Sequence, residues 1–153
     1  MPSKKVINLL PQYDPASYHV GINTAFAEVV GMGCKKLALS SPLSTEEFND
    51  VFEPTKLAVE EYGVHTYVEE DFLSTLLFDA DIAKNLKVIM IAASKAVLDE
   101  YFTLKEMKKR NLVEKSREVE VEIARRFGTL LSYDSFVIEK LIDKHSKGIL
   151  FSS

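Results

Sequence analysis

The chain has 153 residues, of which 46% are hydrophobic and 27% are charged, and its formal net charge is −4 at pH 7. This length and composition are typical of one globular domain and exclude a disordered chain, which would have fewer apolar residues. The acidic balance disfavours nucleic acid as a partner, because phosphate binding requires clustered excess Lys and Arg. The single cysteine excludes an intramolecular disulfide and a multi-cysteine zinc site.

The N-terminal segment is not expected to direct export, and no segment is expected to enter a membrane. The apolar run at 6–10 is interrupted by Pro11 and is too short for a signal peptide. No segment reaches the ~20 apolar residues of a membrane span. We therefore expect a cytoplasmic protein with no membrane partner.

The first two-thirds of the chain alternates strand-like and helix-like segments. Strands are predicted at 4–10, 35–40, 64–68 and 86–93, and helices at 15–30, 45–62 with an interruption at Pro54, and 71–78. Asp14 before Pro15 is typical of a helix start, and Ser44 with Glu47 forms a capping-box pattern. The continuous apolar run at 86–93 indicates a strand buried on both faces, as in a parallel sheet.

The last third of the chain is predicted to be mainly helical. Apolar residues recur at helical spacing over 97–107 and again over 112–127. The segment 117–123 also alternates with a period of two, but we favour a helix because the helical spacing continues on both sides. A short strand at 129–133, a helix from Asp134 or Ser135, and an edge strand at 148–153 complete the order.

Strands separated by helix-length segments indicate βαβ units. We predict an α/β fold in which residues 1–153 form a single domain. Its three layers, α/β/α, would contain a mostly parallel sheet of four to six strands, and its C-terminal third would be rich in helices.

In such a sheet, ligands bind beyond the carboxyl ends of the strands. This rule selects the loops at 11–18, 40–44, 69–72 and 93–95. The candidate ligand-binding residues are Gln12, Tyr13, Asp14, Asn23, Ser40, Ser41, Glu70, Ser94 and Lys95. His19 is the candidate catalytic residue, because a neutral imidazole can act as a general base near pH 7.

Several of these candidates have an ordinary structural alternative. Asp14 is a natural helix cap, and His19 and Asn23, one helical turn apart, suit local hydrogen bonds at a helix surface. Ser40 and Ser41 fit either an anion site or a turn. Lys95 fits either an anion site or a solvent-exposed first turn.

Four further patterns have weaker functional interpretations. The acids at 69–71 suit Mg²⁺, but they also suit the start of the following helix, so no metal site is predicted. The glycines of GMG at 31–33 follow a helix and precede a strand, the reverse of a dinucleotide fingerprint. Cys34 lies beside two lysines, a setting that suits a reactive thiol, although a lone cysteine is more often inert. The basic residues of the C-terminal helices interleave with glutamates, which favours a solvated surface.

The segments VINLLPQYDP, AFAEVVGMG followed by KKLALSS, and LAVEEYGVHTYVEED resemble the DsrE/DsrF-like family of small α/β proteins. The resemblance is one of element order and covers about residues 4–72. It implies the fold of that family and a tendency to form homo-oligomers. Family members that carry sulfur have a cysteine in the loop after the third strand, where this chain has Glu69, Glu70 and Asp71, so sulfur transfer is in doubt.

Two functions of different classes follow. The first is binding of a small anionic ligand at the C-terminal edge of the parallel sheet by Ser40, Ser41, Lys95 and the helix start at Asp14. Whether this site is enzymatic stays open, and no cofactor is indicated. The alternative is a non-catalytic assembly or regulatory subunit that forms a homo-oligomer through helices at 95–127, because the apolar stripes there exceed what one sheet face needs.

Overall fold

The structure is a computed structural model and describes residues 12–149. The elements in this range are α1 (Pro15–Gly31), β1 (Leu37–Leu39), α2 (Thr45–Glu61), β2 (His65–Glu69), β3 (Val88–Ala92), α3 (Lys95–Glu114), α4 (Arg117–Leu130) and α5 (Ser135–Ile149). The strand predicted at 4–10 lies outside the described residues, as does most of the one predicted at 148–153. None of the described helices is long and apolar enough to cross a membrane.

The three strands form one antiparallel sheet in the order β1–β3–β2. Ala92 of β3 is paired with Leu37 of β1 on one side and with His65 of β2 on the other. β1 and β2 therefore run in the same direction, and β3 runs between them in the opposite direction. The prediction of a three-layer α/β/α fold with a mostly parallel sheet of four to six strands is wrong.

The error originates in the connection between β2 and β3. The predicted helix at 71–78 is a loop with turns, in which the Thr75 hydroxyl accepts a hydrogen bond from the Leu77 amide. A helical crossover such as α2 carries the chain back to the end where the previous strand began, which gives parallel strands. The loop at 70–87 instead stays at the end of the sheet where β2 finishes. β3 therefore starts at that end and runs antiparallel to β2.

Helices pack on both faces of this sheet. The cluster on one face joins α1 and α2 to the sheet, and its buried residues include Ala27, Val30, Ala38, Val51, Ile89 and Ile91. The cluster on the other face joins α3, α4 and α5 to the sheet, and its buried residues include Leu37, Met90, Tyr101, Leu104, Ile123 and Phe127. The apolar sequence of β3 thus reflects its central place between two helical layers rather than parallel pairing.

Several local predictions are confirmed. The Asp14 carboxylate accepts a hydrogen bond from the Ser17 amide at 3.2 Å, and α2 begins with a complete capping box of Ser44 and Glu47. α2 runs through Pro54 as one helix, contrary to the interruption predicted there. The segment 117–123 is helical, whereas the strand predicted at 129–133 is the end of α4 and a turn.

Candidate functional site

The residues selected from the sequence lie at opposite ends of the sheet. Ser40, Ser41 and Glu70 follow β1 and β2, at the end where β3 begins, while Ser94 and Lys95 follow β3 at the other end. The five residues of β3 alone span about 13 Å. The four predicted loops therefore do not converge, because the sheet is antiparallel.

Ser40 is used by the sheet itself. Its hydroxyl accepts a hydrogen bond from the Ile89 amide at 2.8 Å and donates one to the Ser41 carbonyl at 2.9 Å. The residue is only 5% exposed. Both capacities of the hydroxyl are thus filled by the backbone, which matches the structural alternative for this loop.

The other strand-end candidates have local partners or face solvent. Glu70 is exposed and forms an ion pair of 2.5 Å with Lys87. The Ser94 side chain caps α3 by accepting a hydrogen bond from the Val97 amide. Lys95 is exposed in the first turn of α3.

His19 and Asn23 are buried where α1 packs against α2. The Asn23 amide donates to the Thr55 hydroxyl at 3.1 Å. The Nε2 atom of His19 lies 3.7 Å from the Glu47 carboxylate, and the imidazole side chain is 3% exposed. Burial lowers the pKa of His19, and the nearby Glu47 carboxylate opposes that shift. These two residues therefore join the helices rather than face solvent.

The remaining predicted residues lie at the start of α1. Gln12 and Asp14 are exposed, and Tyr13 is half-buried. The ring of Tyr13 packs edge-on against Tyr18 at 5.5 Å, and Tyr18 packs against His19 at 5.7 Å. The structure thus groups Tyr13, Asp14 and His19 and separates them from Lys95.

A cleft of about 630 Å³ lies on the other helical layer, between the loop at 74–80, the end of α3, the start of α4 and the end of α5. We call it the cationic cleft. Its charged and imidazole-bearing lining residues are Lys108, Lys115, Arg117, Lys144, Asp79, Glu120 and His145. None of the residues selected from the sequence lines it.

One wall of the cationic cleft is a hydrogen-bonded corner between α3 and α4. The buried Asn111 side chain donates to the Ser116 carbonyl at 2.9 Å and to the Glu120 carboxylate at 2.8 Å, and it accepts from the Ser116 amide. Lys108 binds the other Glu120 oxygen at 2.7 Å. The charge of Glu120 is thereby compensated inside the wall.

Three cations of the cleft have no such partner. Within residues 12–149, the side chains of Lys115, Arg117 and Lys144 form no ion pair or hydrogen bond. The Nε2 atom of His145 lies 3.4 Å from Asp79, and its Nδ1 atom lies 2.9 Å from the Leu141 carbonyl oxygen. The α4 N-terminus also opens here, and the positive end of its dipole favours anions. The cleft therefore holds more positive than negative charge.

One part of this cleft is visible in the sequence. Lys115, Ser116 and Arg117 place two cations around a helix cap, but the interleaved glutamates indicated a solvated surface. Lys144 is distant in sequence and reaches the cleft only through the packing of α5 on α4.

No metal or thiol site emerges from the described residues. Within residues 12–149, no group of three or more His, Cys, Asp or Glu side chains is arranged to hold a metal ion. Cys34 is exposed in the turn between α1 and β1. Its reactivity stays a prediction.

Comparison of the chain with protein-family models, with curated proteins and with solved structures finds no significant match. The resemblance to the DsrE/DsrF-like family therefore stays a prediction. Function has to be argued from the cleft itself.

Proposed function

We propose that the protein binds a small anionic ligand in the cationic cleft. The observation that carries the proposal is the presence of three unpaired cations, Lys115, Arg117 and Lys144, on one concave surface of a chain whose net charge is −4. A cleft lined by one sign of charge concentrates ligands of the opposite sign. The Arg117 guanidinium supplies the planar donors that suit a carboxylate or a phosphate.

The backbone at Lys115 supports this proposal. Lys115 ends α3 with φ of 54°, in the left-handed region that glycine occupies most easily. A lysine at this position costs conformational energy that a glycine would not, which favours a role for its side chain. The same residue lines the cleft.

The proposed site differs from the one predicted at the sheet edge, but the class of ligand is the same. The proposal is one of binding, and it assigns no reaction to the cleft. Much of the apolar stripe that favoured a homo-oligomer through 95–127 is buried inside the chain, at Tyr101, Leu104, Ile123 and Phe127, whereas Leu112 is 65% exposed. The proposal does not include an assembly role, which stays a prediction.

The test is calorimetric titration of the protein with inorganic phosphate, pyrophosphate and citrate. A variant carrying Arg117→Ala and Lys144→Ala should bind the best of these anions at least about tenfold more weakly, since hydrogen bonds to charged groups contribute about 1.5–3 kcal/mol each. A control carrying Lys56→Ala and Lys109→Ala makes the same change in net charge at exposed positions outside the cleft. Equal affinities in the two variants, or no binding of any anion at millimolar concentration, would overturn the proposal.

A further inference from the structure

The cationic cleft continues into an apolar groove of about 410 Å³ between the loop at 77–82 and α5. Its apolar lining residues are Leu77, Phe78, Ile82, Tyr133, Val137 and Leu141. Phe78, Asp79, Lys144 and His145 border both the cleft and the groove, and Asp79 lies beside His145. The two form one continuous depression with charge at one end.

The groove also extends away from the charged end. A smaller apolar depression of about 200 Å³ shares Phe78, Ile82 and Tyr133 with it and reaches Leu39 and Pro42 at the sheet. Two large apolar side chains of the groove, Ile82 and Val137, are each 44% exposed. Large apolar side chains that are exposed together along a groove are typical of a surface that another molecule covers.

We propose that the anionic ligand is a single-chain amphiphile, with its carboxylate or phosphate head in the cationic cleft and its alkyl chain along the apolar groove. This inference rests on the proposed function, because the cleft must first bind the anionic head. The ligand class follows from charge complementarity between the cations of the cleft and the anionic head of an amphiphile. Lys144 lies at the junction, with unpaired cations on one side and only apolar or aromatic side chains beyond His145 on the other. An apolar chain without a charged end would leave those cations unpaired.

Titration with methyl, butyl, hexyl and octyl phosphate, all below their micelle-forming concentrations, measures the contribution of the chain. Affinity should rise about three- to tenfold for every two added methylenes, since a fully buried methylene contributes about 0.8 kcal/mol and the groove is partly open. A parallel titration with octanoate distinguishes a carboxylate head from a phosphate head.

Two sets of variants separate the roles of the cleft and the groove. Ile82→Ser with Val137→Ser should reduce the affinity for octyl phosphate to nearly that for methyl phosphate and leave methyl phosphate unchanged. Leu57→Ser, on α2 and 61% exposed, is the matched control and should change neither affinity. Arg117→Ala with Lys144→Ala should lower the affinity for both methyl phosphate and octyl phosphate.

The outcomes distinguish the two proposals. Equal affinity for methyl and octyl phosphate would overturn the amphiphile and leave anion binding intact. Octyl phosphate binding that is unchanged by Arg117→Ala with Lys144→Ala would overturn both, as would the absence of binding to every anion tested, octanoate included. If the protein sediments with phosphatidylglycerol vesicles but does not bind the free amphiphiles, its partner is a membrane surface, and the inference is overturned.

Discussion

Tyr101→Phe removes one hydroxyl from a buried hydrogen-bond network that connects β2, α3 and the loop of the cationic cleft. The Tyr101 hydroxyl donates to the Glu69 carboxylate at 2.7 Å and accepts from the Leu73 amide at 3.2 Å. Lys105 and the Asp71 amide donate to the same carboxylate, each at 2.8 Å. Glu69 is 2% exposed, so these donors replace the water that its charge requires.

The substitution should destabilise the protein by about 2–4 kcal/mol. The Leu73 amide would be left buried without its acceptor, and Glu69 would lose one of its three donors. An unsatisfied buried donor costs about 1–3 kcal/mol and a hydrogen bond to a charged group contributes about 1.5–3 kcal/mol. Because both losses occur at one hydroxyl, they are less than additive, and we expect a total at the lower end of their sum. Glu69→Ala should cost a similar amount, about 2–4 kcal/mol, because the Lys105 side chain is 26% exposed and can be partly rehydrated.

The assay is urea unfolding followed by circular dichroism, with the double variant completing a mutant cycle. The coupling energy between Tyr101→Phe and Glu69→Ala should be about 1–2 kcal/mol. Tyr62→Phe is the control, because the Tyr62 hydroxyl makes no hydrogen bond within the described residues, and it should change stability by less than about 0.5 kcal/mol. A Tyr101→Phe effect as small as that of the control, or zero coupling, would refute the reasoning.

Two other predictions concern helix packing and pH. Gly128→Ala should destabilise the protein by about 1–3 kcal/mol, because the new Cβ would lie 2.6 Å from Cγ1 of Ile138. Gly21 has open space around it, so Gly21→Ala should stabilise α1 by about 0.5–1 kcal/mol. The midpoints of urea unfolding measure both effects, and a destabilising Gly21→Ala with a neutral Gly128→Ala would contradict the packing described. Burial lowers the pKa of His19 from its ordinary value near 6.5. As the pH falls below 6.5, the unfolded chain therefore takes up a proton on His19 before the folded chain does. The folded state loses stability from pH 6.5 down to the lowered pKa of His19. The His19→Asn variant should lose less stability than the natural chain between pH 7.5 and pH 5.5, and equal losses would contradict this assignment.

The elements predicted correctly from the sequence depend on residues close together in the chain. Asp14 caps α1 three residues away, and Ser44 and Glu47 cap α2 across the same spacing. Such local hydrogen bonds join residues within four or five positions of each other, so they can be predicted without knowledge of the fold. The central strand was also found, because its burial requires a continuous apolar run.

The loop at 70–87 depends on partners that lie far away in sequence. The amide of Leu73 binds Tyr101, and the carboxylate of Glu69 binds both Tyr101 and Lys105. The Tyr101 hydroxyl thereby satisfies a backbone amide that would otherwise find its acceptor inside a helix. The apolar run at 71–78 therefore indicated a helix, and that one error reversed the direction assigned to β3.

The candidate site was missed for the same reason. The cationic cleft needs the loop at 74–80, the α3–α4 corner and the end of α5 to meet, and no sequence pattern joins them. The residues chosen instead were those at strand ends, and Ser40 proved to be a sheet residue whose hydroxyl is occupied by the Ile89 amide and the Ser41 carbonyl. The rule that selected them applies to parallel sheets only.

The positive charge of the cleft persists because the acids near it are already engaged. Both oxygens of Glu120 are bound, one by Lys108 and one by Asn111, and Asp79 lies beside His145. Here the hydrogen bonds of Asn111 hold one wall and those of Tyr101 hold the base of the opposing loop. A ligand that bound between walls held in this way would lose less ordering entropy than one that had to order them.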